Sequence, residues 1–205
     1  MNKILVSIVI DNSASMKDRM PLLKEAISLF KDNVKANHPD EFEYALVIFD
    51  GLNSKSIKTF DQKEFDENAI EAYGVPLVKN SLSLSLDQIE QRLAVLEKEG
   101  HFVHKPWLVL LTDNQNFTDL KEVTERLLEL RKAAKITYFP FRLSDTTADE
   151  TLIDIFKIMP PLTIINNQFD KLFEWLYNTV SKRITLPKDQ TFTLDLKGFE
   201  GWVRK

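Results

Sequence analysis

The residues best suited to chemistry lie in the segment Asp11-Asn12-Ser13-Ala14-Ser15, directly after a run of apolar residues. Asp11, Ser13 and Ser15 carry side-chain oxygens at alternate positions, so a turn can direct all three toward one point. Hard cations such as Mg²⁺ or Mn²⁺ prefer oxygen ligands in near-octahedral geometry and often keep part of their water. The spacing therefore predicts a divalent-cation site with an open coordination position.

A second carboxylate, that of Asp113, follows another apolar run at Leu108-Val109-Leu110-Leu111. Such runs are typical of parallel strands that helices cover on both faces. Ligands of these sheets bind outside the carboxyl ends of the strands. We therefore expect Asp113 to lie beside Asp11 and to add its carboxylate to the same site.

Strand patterns and helix patterns alternate along the rest of the chain. Apolar runs predict strands at 4–10, 44–49, 107–111, 136–143 and 162–165, and a polar alternating run predicts an edge strand at 56–60. The spacing of apolar residues predicts five helices. They lie at about 20–36, from a Ser-x-x-Gln capping box at Ser85 to about Gly100, after Asp119, after Thr147, and over 169–180. This order predicts an α/β fold: a doubly wound, mostly parallel central sheet flanked by helices, with one antiparallel edge strand.

Composition narrows the classes of partner. A net charge of -4 gives no general attraction for phosphate backbones or anionic lipid, so we expect neither nucleic-acid nor membrane binding. No apolar stretch reaches membrane-spanning length. The sequence has no cysteine, which excludes disulfides and thiolate metal sites and fits a reducing compartment, so we expect a cytoplasmic protein.

Other interpretations of the chemical residues are weaker. Asp11-Asn12-Ser13 alone fits a helix cap, but a cap does not explain Asp113. An aspartate nucleophile for phosphoryl transfer would need a second aspartate at position 13, where this chain has Ser13. Gly100 and Pro106 bracket His101 and His104 and predict solvated loop histidines rather than zinc ligands. No glycine-rich loop follows a strand, so a nucleotide-binding site is not predicted.

The string Ile8-Val9-Ile10-Asp11-Asn12-Ser13-Ala14-Ser15-Met16 resembles the Asp-x-Ser-x-Ser turn of von Willebrand factor A (vWA) domains. Leu110-Leu111-Thr112-Asp113 resembles their later strand that ends in Thr-Asp. The resemblance runs over nearly the whole chain and points to the TerY-like group, which is associated with tellurite resistance and bacterial stress. It implies a vWA-like domain at 1–183 and is weaker over the C-terminal tail at 184–205. The alternating pattern of 191–196 in that tail predicts a short exposed strand, packed on the domain or on a partner. Phe199 and Trp202 would dock in the same way.

What this family implies is a metal-ion-dependent adhesion site (MIDAS), in which two serines, two aspartates and a threonine from a middle loop surround Mg²⁺, Mn²⁺ or Ca²⁺. Asp11, Ser13, Ser15 and Asp113 match that motif. Aligning the segment 80–86 with the family's Thr-Ser-Leu-Gly-Ala-Ala-Leu puts Asn80 at the threonine position, and a shift by one offers Ser81 instead. Asn114 replaces the usual glycine.

The resemblance implies a non-enzymatic protein-interaction module. A partner protein would complete the metal shell with a Glu or Asp, and this chain would act as a scaffold or adaptor beside kinase-like or phosphatase-like neighbours in a stress pathway. Two alternatives remain open from the sequence. One is a degenerate domain that binds partners without metal, and the other is a metal-dependent phosphoester hydrolase that uses the same carboxylates.

Overall fold

One seven-stranded sheet organises the chain, in the order β3-β2-β1-β4-β5-β6-β7. The computed structural model describes residues 1–50, 53–74, 77–113, 119–143, 153–187, 190, 192 and 196–204. The strands are β1 (Asn2–Asp11), β2 (Phe42–Asp50), β3 (Asn53–Lys58), β4 (Phe102–Thr112), β5 (Thr137–Arg142), β6 (Leu162–Ile164) and β7 (Val203–Arg204). The helices are α1 (Met20–Asn37), α2 (Val78–Lys98), α3 (Lys121–Lys132), α4 (Ile153–Ile158) and α5 (Phe169–Thr185).

The strand order reverses between β1 and β4. From β1 the chain builds outward to β2 and β3 on one side, and from β4 it builds outward to β5, β6 and β7 on the other. β1 pairs in parallel with both β2 and β4. Such a reversal leaves a crevice at the carboxyl ends of the two central strands, which is where doubly wound folds bind ligands.

Helices cover both faces of the sheet, as the continuous apolar strands require. Because side chains alternate along a strand, Ile8 and Ile10 of β1 face one layer and Leu5 and Val9 face the other. The first layer contains the buried stripes of α1 and α5. The second contains those of α2 and α3. The predicted doubly wound, mostly parallel α/β fold is confirmed.

The predicted start of α2 is wrong. The Ser-x-x-Gln pattern predicted a helix from Ser85, but α2 begins at Val78, about two turns earlier. Val78, Leu82 and Leu86 are buried at four-residue spacing, a helical stripe that the alternating serines and leucines of this segment hide. Ser85 is therefore an internal, buried residue of α2.

His104 also lies elsewhere than predicted. β4 begins at Phe102 and continues through Pro106, and His104 is 1% exposed rather than in a solvated loop. Ile4 pairs with His104 and Val6 with Trp107, so one residue of β1 opposes two residues of β4. This bulge lets a proline sit within the strand, because the ladder is already interrupted there.

The end of the chain adds an edge strand. β3 is the predicted antiparallel edge, and β7 forms a second one by pairing antiparallel with β6. Phe199 and Trp202 are 4% exposed and pack in the same core layer as Phe141. Most of the strand predicted at 191–196 lies outside the described residues, as does the helix cap predicted at Thr147.

Among the described residues, no helix is long and apolar enough to cross a membrane.

Candidate metal centre

Asp11 and Asp113 meet where the strand order reverses. Asp11 is the last residue of β1, and Asp113 directly follows the neighbouring strand β4. The amide of Asp113 donates to Asp11 Oδ2 at 3.3 Å, and Thr112 Oγ1 donates to the same oxygen at 3.2 Å. The two strand ends are thus joined through the carboxylate of Asp11.

The two predicted serines complete a continuous chain of hydrogen bonds. The amide of Ser13 donates to Asp11 Oδ1 at 2.9 Å, and the hydroxyls of Ser13 and Ser15 share a hydrogen bond of 3.0 Å. Ser15 Oγ then donates to Asp113 Oδ2. Ser13 precedes a short 3-10 helix at Ala14–Arg19, yet its side chain makes no capping hydrogen bond. The Ser13 hydroxyl therefore belongs to the cluster rather than to a helix cap.

The cluster is buried on one side and open on the other. Asp11 is 0% exposed, Ser13 is 1% exposed and Asp113 is 5% exposed. Ser15 is exposed to solvent. A ligand would therefore approach the carboxylates from the Ser15 side.

Burial strongly perturbs the charge of Asp11. Loss of water, together with the neighbouring carboxylate of Asp113, raises the pKa of Asp11 to about 7, although hydrogen bonds from Ser13 partly oppose the shift. Two carboxylates in a poorly solvated site disfavour one another's ionisation unless a proton or a cation compensates. The electrostatics of the cluster therefore favour a bound positive charge.

Unpartnered oxygen atoms also fit a cation. Within the described part of the chain, the buried Asp113 Oδ1 and Asn12 Oδ1 have no hydrogen-bond partner. Buried polar atoms without partners are costly, and a carboxylate oxygen can accept either a donor or a metal ion. Two carboxylates and two hydroxyls, with a free carboxylate oxygen among them, are a suitable ligand set for Mg²⁺.

The fifth predicted residue lies apart from this hydrogen-bonded set. Asn80 is in the first turn of α2 rather than in a loop, and its side chain is exposed. Within the described ranges, no hydrogen bond joins Asn80 to the four clustered residues. The alternative, Ser81, shares a 2.7 Å hydrogen bond with Ser54 of β3, so its hydroxyl is directed toward that strand. Asn114 lies outside the described residues.

A supporting loop was not anticipated from the sequence. Asn12 Nδ2 donates to the carbonyl of Glu71 at 2.8 Å, and the amide of Tyr73 donates to the carbonyl of Asn12 at 2.6 Å. The amide of Ala14 donates to the carbonyl of Gly74 at 3.1 Å, and Gly74 has a φ of 68°. These bonds hold the 12–14 turn against a segment some 60 residues away in the sequence. The main sign of this segment in the sequence is the glycine at position 74, because glycine readily adopts a positive φ.

Thr112 is a second residue whose role was not anticipated. Its hydroxyl supports Asp11 from the neighbouring strand, and the residue is fully buried. The sequence signal for this role was a residue with a hydroxyl group, Thr112, directly before the aspartate at the end of the strand, Asp113.

The comparison with solved structures identifies the fold. A comparison with protein-family models gives no match, and a comparison with curated proteins gives none either. Among solved structures, the VWA domain of SpRpn10 is similar at a TM-score of 0.58 and 11% identity, covering 82% of this chain and 92% of that one. The N-terminal domain of TFIIH p34 is similar at 0.58 and 14%, covering 85% and 96%.

Proximal thread matrix protein 1 from the mussel byssus is similar at a TM-score of 0.57 and 12% identity, covering 85% of this chain and 47% of that one. The chain thus spans about half the length of the mussel structure. At these identities the likenesses concern the fold alone, and they show that this chain has the vWA fold.

Proposed function

We propose that this protein is a non-enzymatic interaction module that captures an acidic side chain of a partner protein through a divalent cation. The observation that carries the proposal is the convergence of Asp11, Ser13, Ser15 and Asp113 at the β1/β4 crevice, with Asp113 Oδ1 left without a partner. Mg²⁺ is the expected ion, with Mn²⁺ or Ca²⁺ as substitutes.

Each residue has a distinct role in this proposal. Asp11 and Asp113 supply negative charge from the two central strands, and the hydroxyls of Ser13 and Ser15 supply neutral oxygens. Asn80, in the first turn of α2, is the proposed fifth contributor through its amide oxygen. When bound, the cation supplies a positive charge with a coordination position for a carboxylate. The exposure of Ser15 leaves that side of the cluster accessible to a partner.

The motif resemblance to the TerY-like group suggests the biological setting. We propose a scaffold or adaptor in a bacterial tellurite or stress response, acting in the cytoplasm on kinase-like or phosphatase-like proteins. The vWA fold supports an interaction role, since it offers a ligand crevice at the strand ends. The identity of the partner is defined here only by its chemistry, an accessible Glu or Asp.

One observation favours a second candidate, a domain that binds its partner without metal. The cluster already satisfies most of its own polar atoms, because Thr112 and Ser13 donate to Asp11 while Ser15 donates to Asp113. The exposed Asn80 at the threonine position points in the same direction. In this candidate, Asp11 holds a proton in place of the cation.

Partner capture distinguishes the two candidates. The immobilised full chain would be used to retain proteins from a bacterial lysate in Mg²⁺ and, separately, in EDTA. Under the metal-dependent proposal, a specific partner is retained only in Mg²⁺, and the Asp11→Ala/Ser13→Ala variant does not retain it. The matched control Asp32→Ala/Ser83→Ala, which changes the same residue types on α1 and α2, retains it normally.

Equal capture in Mg²⁺ and EDTA, unaffected by the Asp11→Ala/Ser13→Ala change, would support metal-free binding instead. A phosphoester-hydrolysis screen on the same proteins tests the enzymatic alternative. Metal-dependent turnover that Asp113→Ala abolishes would establish a hydrolase in place of the interaction module.

A further inference from the structure

A cavity lies at the amino-terminal ends of β1 and β2, at the opposite end of these strands from the metal centre. It has a volume of about 490 Å³ and is bordered by the beginnings of β1 and β2, the end of β3, and side chains of α1 and α2. None of the proposed metal-binding residues lines it. Its size is within the range of pockets that bind small molecules.

The lining of this cavity is positively charged although the whole chain carries a net charge of -4. Six cationic side chains face four carboxylates: Lys3, Lys31, Lys35, Lys58, Lys63 and Arg92 against Asp40, Glu43, Asp61 and Glu64. At the mouth most of these charges are paired, as in the exposed pairs of Lys35 with Glu64 and of Lys63 with Asp40. Lys31 also pairs with Glu67, which does not line the cavity, so the lining charges that remain are those of Lys3, Lys58 and Arg92 against Glu43 and the exposed Asp61. The remaining excess of positive charge lies at the floor.

The floor contains one carboxylate between two cations. Glu43 accepts a hydrogen bond of 2.6 Å from Lys3 Nζ. It also accepts two from the guanidinium of Arg92, at 2.7 Å and 2.9 Å. Both oxygens of Glu43 are therefore engaged, and a single negative charge is shared by Lys3 and Arg92.

Lys58 adds a third cation to the floor. Only 3% of this residue is exposed, and its ammonium donates to the carbonyls of Tyr44 at 2.7 Å and of Thr59 at 3.0 Å. It also lies 4.2 Å from the centre of the Tyr44 ring. Within the described residues, no carboxylate oxygen lies within 4.0 Å of it, although the more distant charges of Glu43 and Asp61 favour its charged form. Burial lowers the pKa of Lys58 to about 8, so the amine is still largely charged at neutral pH.

A buried lysine without a carboxylate partner is unfavourable unless an anion compensates its charge. An ammonium has three donors, and carbonyls take two of those of Lys58. Phe42, Tyr44 and Phe60 supply apolar wall beside this charge, and each is at most 5% exposed. The combination fits a ligand that has both an anionic group and an apolar portion.

We propose that this cavity binds a small organic anion, whose phosphate or carboxylate oxygens are held by Lys58 with help from Lys3 and Arg92. This site is separate from the metal centre and independent of the proposed partner capture. A molecule bound here would contact β1, β2 and α2 at once, because these elements carry Lys3, Glu43 and Arg92.

Two probes distinguish the sources of the anionic group: pyrophosphate for phosphates and citrate for carboxylates. Each is titrated, with the ionic strength held constant by NaCl, into the ¹⁵N-labelled full chain in metal-free buffer. We expect saturable amide shifts at Tyr44, Lys58 and Thr59 with half-saturation at about 1 mM or below. In Lys58→Met the affinity falls at least about tenfold, since a buried charge contact is lost. In the control variant Lys132→Met the affinity is unchanged, because Lys132 is an exposed residue at the end of α3, away from the cavity.

Saturation by either probe supports the site and identifies its preferred group. Shifts that do not saturate with either probe, or that are equal in wild type and Lys58→Met, would overturn it. If Lys58→Met does not fold, Arg92→Gln serves as the second variant, because Arg92 is partly exposed and its replacement should not prevent folding. The same loss of affinity is expected in Arg92→Gln.

Discussion

The hydroxyl of Ser15 donates a hydrogen bond to Asp113 Oδ2 across 98 residues of sequence. The contact joins the turn after β1 to the end of β4, and it leaves Asp113 Oδ1 buried without a partner among the described residues. Because β1 and β4 are neighbours only through the reversal in strand order, the two halves of the motif are assembled by the topology of the sheet.

The stability of the metal-free protein should depend on pH because the carboxyl group of Asp11 titrates near neutral pH. The folded pKa of Asp11 is about 7, and its ordinary value is 3.8. Between these two pKa values the folded state binds more protons than the unfolded state. The free energy of unfolding therefore decreases as the pH rises through this window. The slope from this group reaches up to about 1.4 kcal/mol per pH unit.

Urea unfolding in EDTA, at several pH values between about 5 and about 8, measures this dependence. Asp11→Asn cannot titrate, so its stability should vary less over the same range. The same slope in wild type and Asp11→Asn would show that Asp11 is not the group responsible.

The main elements of the site could be predicted because they depend on local patterns. The apolar runs before Asp11 and Asp113 identified two buried strands, and parallel strands place their ends at one edge. The apolar stripe of Leu23, Ile27 and Phe30 could be predicted equally well from its helical spacing, and all three residues are buried on α1. These features follow from residue type and spacing alone.

Features that depend on long-range contacts could not be predicted. The docking of residues 71–74 on the 12–14 turn uses mainly backbone groups, which carry little sequence signal. The burial of His104 follows from a bulge in the pairing of β1 with β4. The early start of α2 was hidden because its buried face includes Ser81 and Ser85, and small polar residues do not mark an apolar stripe.

Substitutions in α2 test which residue occupies the threonine position of the motif. Asn80→Ala should weaken Mg²⁺ binding by only about threefold, because this exposed amide is a neutral and displaceable ligand. Ser81→Ala should leave the Mg²⁺ affinity unchanged, since its hydroxyl is hydrogen-bonded to Ser54.

Calorimetric titration of Mg²⁺ into each variant gives these affinities. A larger loss in Ser81→Ala than in Asn80→Ala would reverse the assignment. No loss in Asn80→Ala would reduce the proposed ligands to the four clustered residues.

The C-terminal segment should be a stabilising part of the fold. Trp202 is 4% exposed, stacks near Phe141 with ring centres 6.3 Å apart, and packs edge-on against Phe199. Removing a buried tryptophan side chain typically costs about 3 to 5 kcal/mol. Trp202→Ala should therefore lower the free energy of unfolding by an amount in this range.

Chemical denaturation compares Trp202→Ala with Val95→Ala, a change at a partly exposed apolar position on α2. The Val95→Ala variant should lose far less stability. A loss below about 1 kcal/mol in Trp202→Ala would mean that the segment contributes little to the folded domain.

The most direct test of cation binding is the free energy of unfolding as a function of Mg²⁺, at a pH above about 7 where Asp11 is ionised. If only the folded state binds the ion, Mg²⁺ at about a hundred times its dissociation constant adds roughly 2.7 kcal/mol. Asp113→Asn should abolish this gain, and Asp32→Asn, on the exposed side of α1, should preserve it. The absence of any gain across millimolar Mg²⁺ and Mn²⁺, or an equal gain in Asp113→Asn, would contradict a metal centre at Asp11, Ser13, Ser15 and Asp113.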